Sequence, residues 1–173
     1  MCIELKIPSK EYEEQISNYK KIFIQRDESI AGAFGLAEAN RVEDWIRDVI
    51  LNQKEETMLE GLVPATTYMA IRKSDDKLIG MIQIRHRLNE ALKKLGGHIG
   101  YSVIYDERRK GYAKEMLRLA LLDCKKLNIK NVLITCNKDN IASQKTIESN
   151  NGVFENELEV NGGITKRFFI NLD

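Results

Sequence analysis

His98-Ile99-Gly100-Tyr101-Ser102-Val103-Ile104 and, beyond a short polar connection, Arg108-Arg109-Lys110-Gly111-Tyr112-Ala113 form the passage around which the rest of the chain can be ordered. In its first half Ile99, Tyr101 and Val103 fall on one face and His98, Gly100 and Ser102 on the other, the alternation of a strand, here read as the central one. From about Gly111 to Leu127 the apolar residues Ala113, Met116, Leu117, Ala120, Leu121, Cys124 and Leu127 recur at helical spacing, so a broad apolar face is expected to pack on the sheet. Residues 131–136 are almost wholly apolar, as in a buried parallel strand, and strand–helix–strand units of this kind are right-handed.

The helix start carries an anomaly. Arg108, Arg109 and Lys110 stand beside the positive end of the helix dipole, where each cation should cost a few tenths to about 1 kcal/mol. A local rule broken at such a place points to a ligand. Backbone N–H groups of the first turn, with Gly111 and Ala113 leaving room, would bind a pyrophosphate that the flanking cations neutralise. The other reading is a solvated surface turn in which Asp106 and Glu107 screen the basic side chains.

Working outward, residues 2–7 alternate and stop at Pro8, a short strand. Ser9 can cap a helix bearing Tyr12, Ile16, Tyr19, Ile22 and Phe23. Residues 27–36, with Gly32 and Gly35, read as a loop, and a second helix runs from Glu38 past Val42, Trp45, Ile46, Val49 and Ile50. Residues 66–71 and 78–85 flank the polar cluster Lys73-Ser74-Asp75-Asp76 as an antiparallel hairpin. Residues 88–95 suggest a helical turn closed by Gly96-Gly97, and 140–150 a further helix ending at Gly152. Residues 153–172 divide at Asn161-Gly162-Gly163 into a second hairpin.

A chain of 173 residues fits one domain spanning 1–173. Its 27 basic and 26 acidic side chains nearly cancel, so no global field draws it to nucleic acid or an anionic membrane, and any anion site must be local. Cys2, Cys124 and Cys136 are odd in number and widely spaced, and only His86 and His98 accompany them, which indicates neither a disulfide framework nor a metal site and fits a reducing cytoplasm. No apolar run approaches the ~18 residues that span a bilayer, and the N-terminus turns charged at once, so neither a signal peptide nor a membrane span is expected.

Arg108-x-x-Gly111-x-Ala113 resembles the (Gln/Arg)-x-x-Gly-x-(Gly/Ala) signature of the GNAT superfamily of N-acetyltransferases, and the order of elements is similar along nearly the whole chain, including Asp139-Asn140-Ile141-Ala142-Ser143 after the buried strand. The resemblance implies an α/β fold of the α+β type, with a mixed, mostly antiparallel sheet flanked by helices. It implies acetyl-CoA as co-substrate, with no metal. The backbone of Val103 and Ile104 would pair with the pantetheine arm. The amides of Arg109, Lys110, Gly111, Tyr112, Ala113 and Lys114 would hold the pyrophosphate, with Arg108 flanking it. Asn140 and Ser143 would contact the pantetheine or adenylyl portion; read alone, they are a helix cap and a surface residue. Two positions depart from the family pattern. Arg109 replaces a glycine and would reach toward the adenosine 3′-phosphate, and Ile147 stands where many members carry a tyrosine acid.

For chemistry, His98 is the candidate base, with a structural tether to a carbonyl as its other reading. Tyr101 is the rival acid, although its phase matches the core residues Ile99 and Val103. Arg85-His86-Arg87 reads either as an exposed basic strand end or as a contact for an anionic substrate group. Cys124 and Cys136 sit on apolar elements without a base and are not expected to act as nucleophiles. The acceptor would be a primary amine of a small molecule or peptide, acetylated directly in a ternary complex. Its pocket would be lined by the N-terminal helices, the loop between Gly32 and Gly35, Leu62-Val63-Pro64 and the C-terminal hairpin. Exposed sheet ends would also allow two chains to pair as a homodimer. The alternative function is a catalytically silent acyl-CoA-binding regulator. A nucleic-acid contact is disfavoured by the balanced charge and the lack of a basic stripe with interleaved aromatics.

Overall fold

In chain order the computed structural model, which describes residues 2–173, contains β1 (Ile3–Lys6), α1 (Glu13–Gln25), α2 (Val42–Leu51), β2 (Ala65–Arg72), β3 (Lys77–Arg85), α3 (Glu90–Lys94), β4 (Ile99–Val103), α4 (Tyr112–Lys126), β5 (Asn131–Asn137), α5 (Ile141–Glu148), β6 (Val153–Val160) and β7 (Gly163–Asn171). The alternating segments pair as expected. β2 and β3 form the first hairpin, with Met69 opposite Met81, and β6 and β7 form the second. Its turn places Asn161 and Gly162 at φ 52° and 75°, the doubly left-handed geometry that suits the right-handed twist of a hairpin.

The strands form two antiparallel sheets, β1-β2-β3-β4 and β5-β7-β6, flanked by helices. Two expectations change here. β4 is the last strand of its sheet rather than one fully paired on both sides, and β5 pairs with β7 antiparallel instead of extending a parallel ladder from β4. Between β4 and β5 a bridge joins Gly97 to Ile134, and His98 N–H donates to the Leu133 carbonyl at 2.7 Å. Leu133 N–H then donates to His98 Nδ1 at 2.9 Å, so an imidazole stands where a backbone carbonyl would continue the ladder. The His98 carbonyl is already turned to Arg85 N–H at 2.7 Å, and beyond this point the strands separate.

Two apolar layers hold the helices in place. One packs Met116, Leu117, Ala120 and Cys124 of α4 and Ile147 of α5 against Ile82, Ile84, Ile99, Val132, Ile134 and Phe168. The other packs Ile16, Tyr19 and Phe23 of α1 and Trp45 and Val49 of α2 against Met69, Ile71 and Met81. Each such side chain, when fully buried, contributes roughly 1.5–3 kcal/mol, enough together to set how the helix ends meet the split. At the N-terminus the Ser9 side chain makes no cap bond: a 3₁₀ turn over Lys10–Tyr12 precedes α1, and Tyr12 is drawn inward to meet Lys6 and Asp76. α2 likewise starts at Val42 rather than Glu38.

Candidate active site

The start of α4 lies beside the separation of β4 and β5. After β4, a 3₁₀ turn over Tyr105–Glu107 leads to Arg109 at φ 59° and Gly111 at φ 81°. Left-handed residues in such a turn point successive amides inward as an anion nest, and at φ 81° a glycine is the residue without penalty. No side chain caps α4. Arg108 N–H donates to the Tyr105 carbonyl at 3.2 Å and Glu115 N–H to the Gly111 carbonyl at 3.2 Å, while the amides between them, Arg109 through Lys114, have no acceptor among the described residues. This is the amide set expected for a pyrophosphate.

The cations are disposed differently from the expectation. Arg108 Nε donates to the Val103 carbonyl at 2.9 Å, its guanidinium pairs with Glu28, and it lies over the rings of Phe23 and Tyr105. Lys110 pairs with Glu107 at 2.9 Å. The Glu107 carboxylate is buried and also receives Lys77 at 2.8 Å and Arg72 at 3.0 Å, so hydrogen bonds from Lys77 and Lys110 hold its pKa down to about 2. Arg72 also donates to the Tyr112 hydroxyl at 3.2 Å. Of the two acids expected to screen the turn, Glu107 does so from inside, while Asp106 forms no ion pair among the described residues. Arg109 is exposed and makes no ion pair in the same set, which leaves it as the outward cation of the turn. Neither Glu28 nor Glu107 was singled out as a partner of one particular cation from sequence. Glu107 could have been, from its i,i+3 spacing to Lys110; Glu28 lies 80 positions from Arg108 and has no local signal.

Along β4, Ile104 N–H donates to the Ile79 carbonyl at 2.9 Å and the His98 carbonyl accepts from Arg85, so antiparallel alternation turns the N–H groups of Tyr101 and Val103 toward β5. The amide of Ile104 is thus engaged within its sheet and the Val103 carbonyl by Arg108, while the Val103 N–H faces the split. Across the split the Tyr101 hydroxyl bonds the Ser143 hydroxyl at 2.8 Å, and burial pushes the phenol up to about 12. Asn140 caps α5, its Oδ1 accepting from Ser143 N–H at 3.0 Å. Ile147 is fully buried in the α4 layer.

His98 does not present a free basic nitrogen. Nδ1 accepts from Leu133, which places the ring proton on Nε2, and burial with the nearby Arg85 charge lowers its pKa to about 4. The three-residue basic segment separates into three environments. His86 bonds the Thr66 hydroxyl at 2.8 Å, Arg87 pairs with Glu55 at 2.6 Å, and Arg85 turns inward to the Gly96 and Gly97 carbonyls. Burial raises the thiol pKa of both Cys124, to about 12, and Cys136, which suits neither to nucleophilic work.

The other face of β4 is roofed by the loop between α1 and α2. A Cβ on Gly32 would stand 2.5 Å from the Gly100 carbonyl, so only glycine permits this approach. Ser102 holds the loop by donating to the Ala31 carbonyl at 2.6 Å and bonding the Tyr19 hydroxyl at 3.1 Å. Among the described residues no helix is long and apolar enough to cross a membrane, and no group of three or more His, Cys, Asp or Glu stands together as a metal site.

An uncapped helix start opening on a split between two antiparallel sheets flanked by helices is the arrangement of an acyltransferase-type fold. The acetyltransferase (GNAT) domain model matches residues 15–152, and the chain belongs to the GNAT acetyltransferase family, as an acetyl-CoA-dependent N-acetyltransferase. No curated protein matches it significantly. Similar solved structures include a ribosomal-protein-S5-alanine acetyltransferase from Vibrio fischeri, at TM-score 0.70 and 17% identity over 99% of this chain and 93% of that one. A Salmonella typhimurium enzyme that modifies the N-terminal serine of ribosomal protein L7/L12 gives 0.68 and 16% over 99% and 95%. The microcin C7 self-immunity acetyltransferase MccE, in complex with acetyl-CoA and AMP, gives 0.66 and 22% over 98% and 92%. At these identities the likeness is one of fold.

Proposed function

We propose that the protein moves an acetyl group from acetyl-CoA directly to a primary amine of a peptide or small molecule within a ternary complex. The observation that carries this reading is the run of unclaimed amides from Arg109 to Lys114 beside the split. The donor's pyrophosphate would sit on these amides, with Arg109 toward the adenosine 3′-phosphate and the Val103 N–H on the pantetheine arm. Asn140 and Ser143 shape the wall of the split through the cap and the bond to Tyr101. Arg108, Lys110 and Tyr112 act from behind as positioning residues.

The amine lone pair attacks the thioester carbonyl, the outward N–H of Tyr101 on β4 meets the developing oxyanion, and the C–S bond breaks as the thiolate leaves. The nitrogen loses its proton to solvent, because His98 holds its acceptor lone pair on Leu133. Tyr101, a weaker acid near 12 than a thiol near 8.5 and already donating to the Ser143 carbonyl at 3.3 Å, does not protonate the thiolate, which takes its proton from solvent. Such a site works mainly by positioning. The support from relatives is general: the two ribosomal-protein enzymes above are described as acting on alanine or serine of a protein, which makes a peptide terminus one natural acceptor.

Initial rates of thiol release, with acetyl-CoA and an amine varied together, test the proposal. Intersecting lines are expected, with kcat/KM rising as the acceptor amine loses its proton and no inflection from a histidine. Parallel lines would overturn direct transfer. Tight coenzyme A binding without turnover across a broad amine panel would instead support a silent acyl-CoA-binding module.

A further inference from the structure

Guanidinium groups drawn into this protein meet carboxylates. Arg72 meets Asp75 and Glu107, Arg108 meets Glu28, and Arg167 meets Glu155. Arg85 is the exception among the described residues. It is half-buried and pairs with no acid, and desolvation alone shifts its pKa downward. Partly dehydrating a cation without a counter-charge is unfavourable, and two carbonyls replace only part of the hydration it loses.

The geometry of its donors is specific. Nη1 donates to the Gly96 carbonyl at 3.2 Å and to the Gly97 carbonyl at 3.0 Å. Nε and Nη2, the pair along one edge of the fork, have no acceptor among the described residues. That edge matches the two oxygens of a carboxylate. Nη2 lies 3.7 Å from where a Cβ on Gly100 would stand, on the face of β4 that the Gly32 loop roofs. Gly100 adjoins Tyr101, so the open edge lies about one or two strand residues, roughly 3–7 Å, from an N–H that meets the thioester carbonyl. Arg85 also bears on His98, whose imidazole it helps keep neutral.

We infer that Arg85 is a specificity residue of the acceptor site, and that the acetylated amine carries a carboxylate that closes on its Nε/Nη2 edge. This inference rests on the transferase reading given above. It follows from a cation for which no described residue supplies an anion, on the face of β4 opposite α4.

Two matched pairs of acceptors distinguish where the carboxylate comes from: Ser-Glu-amide against Ser-Gln-amide for an acidic peptide, and serine against serinamide for a free amino acid. In at least one pair the wild-type kcat/KM should favour the carboxylate by about tenfold or more. Arg85→Gln should reduce that preference below about threefold while KM for acetyl-CoA stays within about twofold. Arg85→Lys, which keeps the charge that supports the Gly96-Gly97 turn but not the fork, should retain only part of it. No preference in either pair, or one unchanged in both variants, overturns the inference.

A second readout does not depend on turnover. The chain has two histidines, so the His98 ring proton can be followed by NMR, with His86 as the internal control. Ser-Glu-amide or serine bound at Arg85 should raise the His98 titration midpoint in the wild type and leave it unmoved in Arg85→Gln. If coenzyme A binds but no amine is acetylated, the transferase reading fails while this titration still decides the role of Arg85. An unshifted midpoint with both probes overturns it.

Discussion

Two helices begin at the edge of the split, and they begin differently. α5 is closed by its own sequence, with the Asn140 side chain on the Ser143 amide. α4 begins at a left-handed glycine with no capping side chain, and six consecutive amides, Arg109 to Lys114, are left without an acceptor among the described residues. A cap and a ligand compete for the same N–H groups, so the helix that lacks the cap is the one open to an anion. In sequence the Asn-x-x-Ser spacing allows a cap or a ligand contact, and the three cations suggest phosphate neutralisation. The structure assigns the spacing to a cap and ties two of the cations to Glu28 and Glu107. Among the described residues, what the turn leaves unpaired is its backbone amides and Arg109.

The strongest way to break this contrast is Gly111→Val. A β-branched residue at φ 81° is an outlier, and the turn must rebuild. Losing two or more charge-assisted bonds, each about 1.5–3 kcal/mol, should lower coenzyme A affinity at least ~100-fold by calorimetry. Near wild-type affinity would show that the phosphates bind elsewhere.

A smaller effect comes from behind the cradle. Glu107→Gln should destabilise the fold by about 2–3 kcal/mol in urea at neutral pH, less than for a fully buried pair because the lysines are half exposed. The wild-type carboxyl has its pKa depressed to about 2, so its contribution is complete above the unfolded value near 4.3 and is lost as pH falls from there to about 2. The variant should lack this acid limb. Coenzyme A affinity should change less than about tenfold, since the amides remain.

The smallest effect sharpens the comparison from the other helix. Asn140→Ala should reduce stability by about 1 kcal/mol, as a lost cap does, with coenzyme A affinity moving less than about threefold. A tenfold loss would place Asn140 on the ligand and erase the difference between the two helix starts.

Much of the fold was legible because its signals are local. The hairpin at Asn161-Gly162, the helical stripe from Met116 to Cys124 and the glycine ahead of α4 each follow from neighbours in sequence. The left-handed turn ahead of α4 was legible for the same reason. His98 was harder. Its position after Gly96-Gly97 allowed either a base or a tether, and the choice depends on Leu133, 35 positions away. Arg85 was harder again, since a basic strand end is ordinarily solvated, and its inward turn follows from the Gly96 and Gly97 carbonyls brought back by α3.

The sequence by itself determined the order of strands and helices, the hairpins and the place of the left-handed turn ahead of α4, because periodicity, turn chemistry and helix-start residues act within a few positions. Only the tertiary structure decided which charges are free, which histidine nitrogen is occupied and where the two sheets part. Those outcomes depend on partners such as Glu107 for Arg72, 35 positions apart, and Glu28 for Arg108, 80 apart. A buried charge is settled by what the packed core brings against it, and that is not written beside it in the chain.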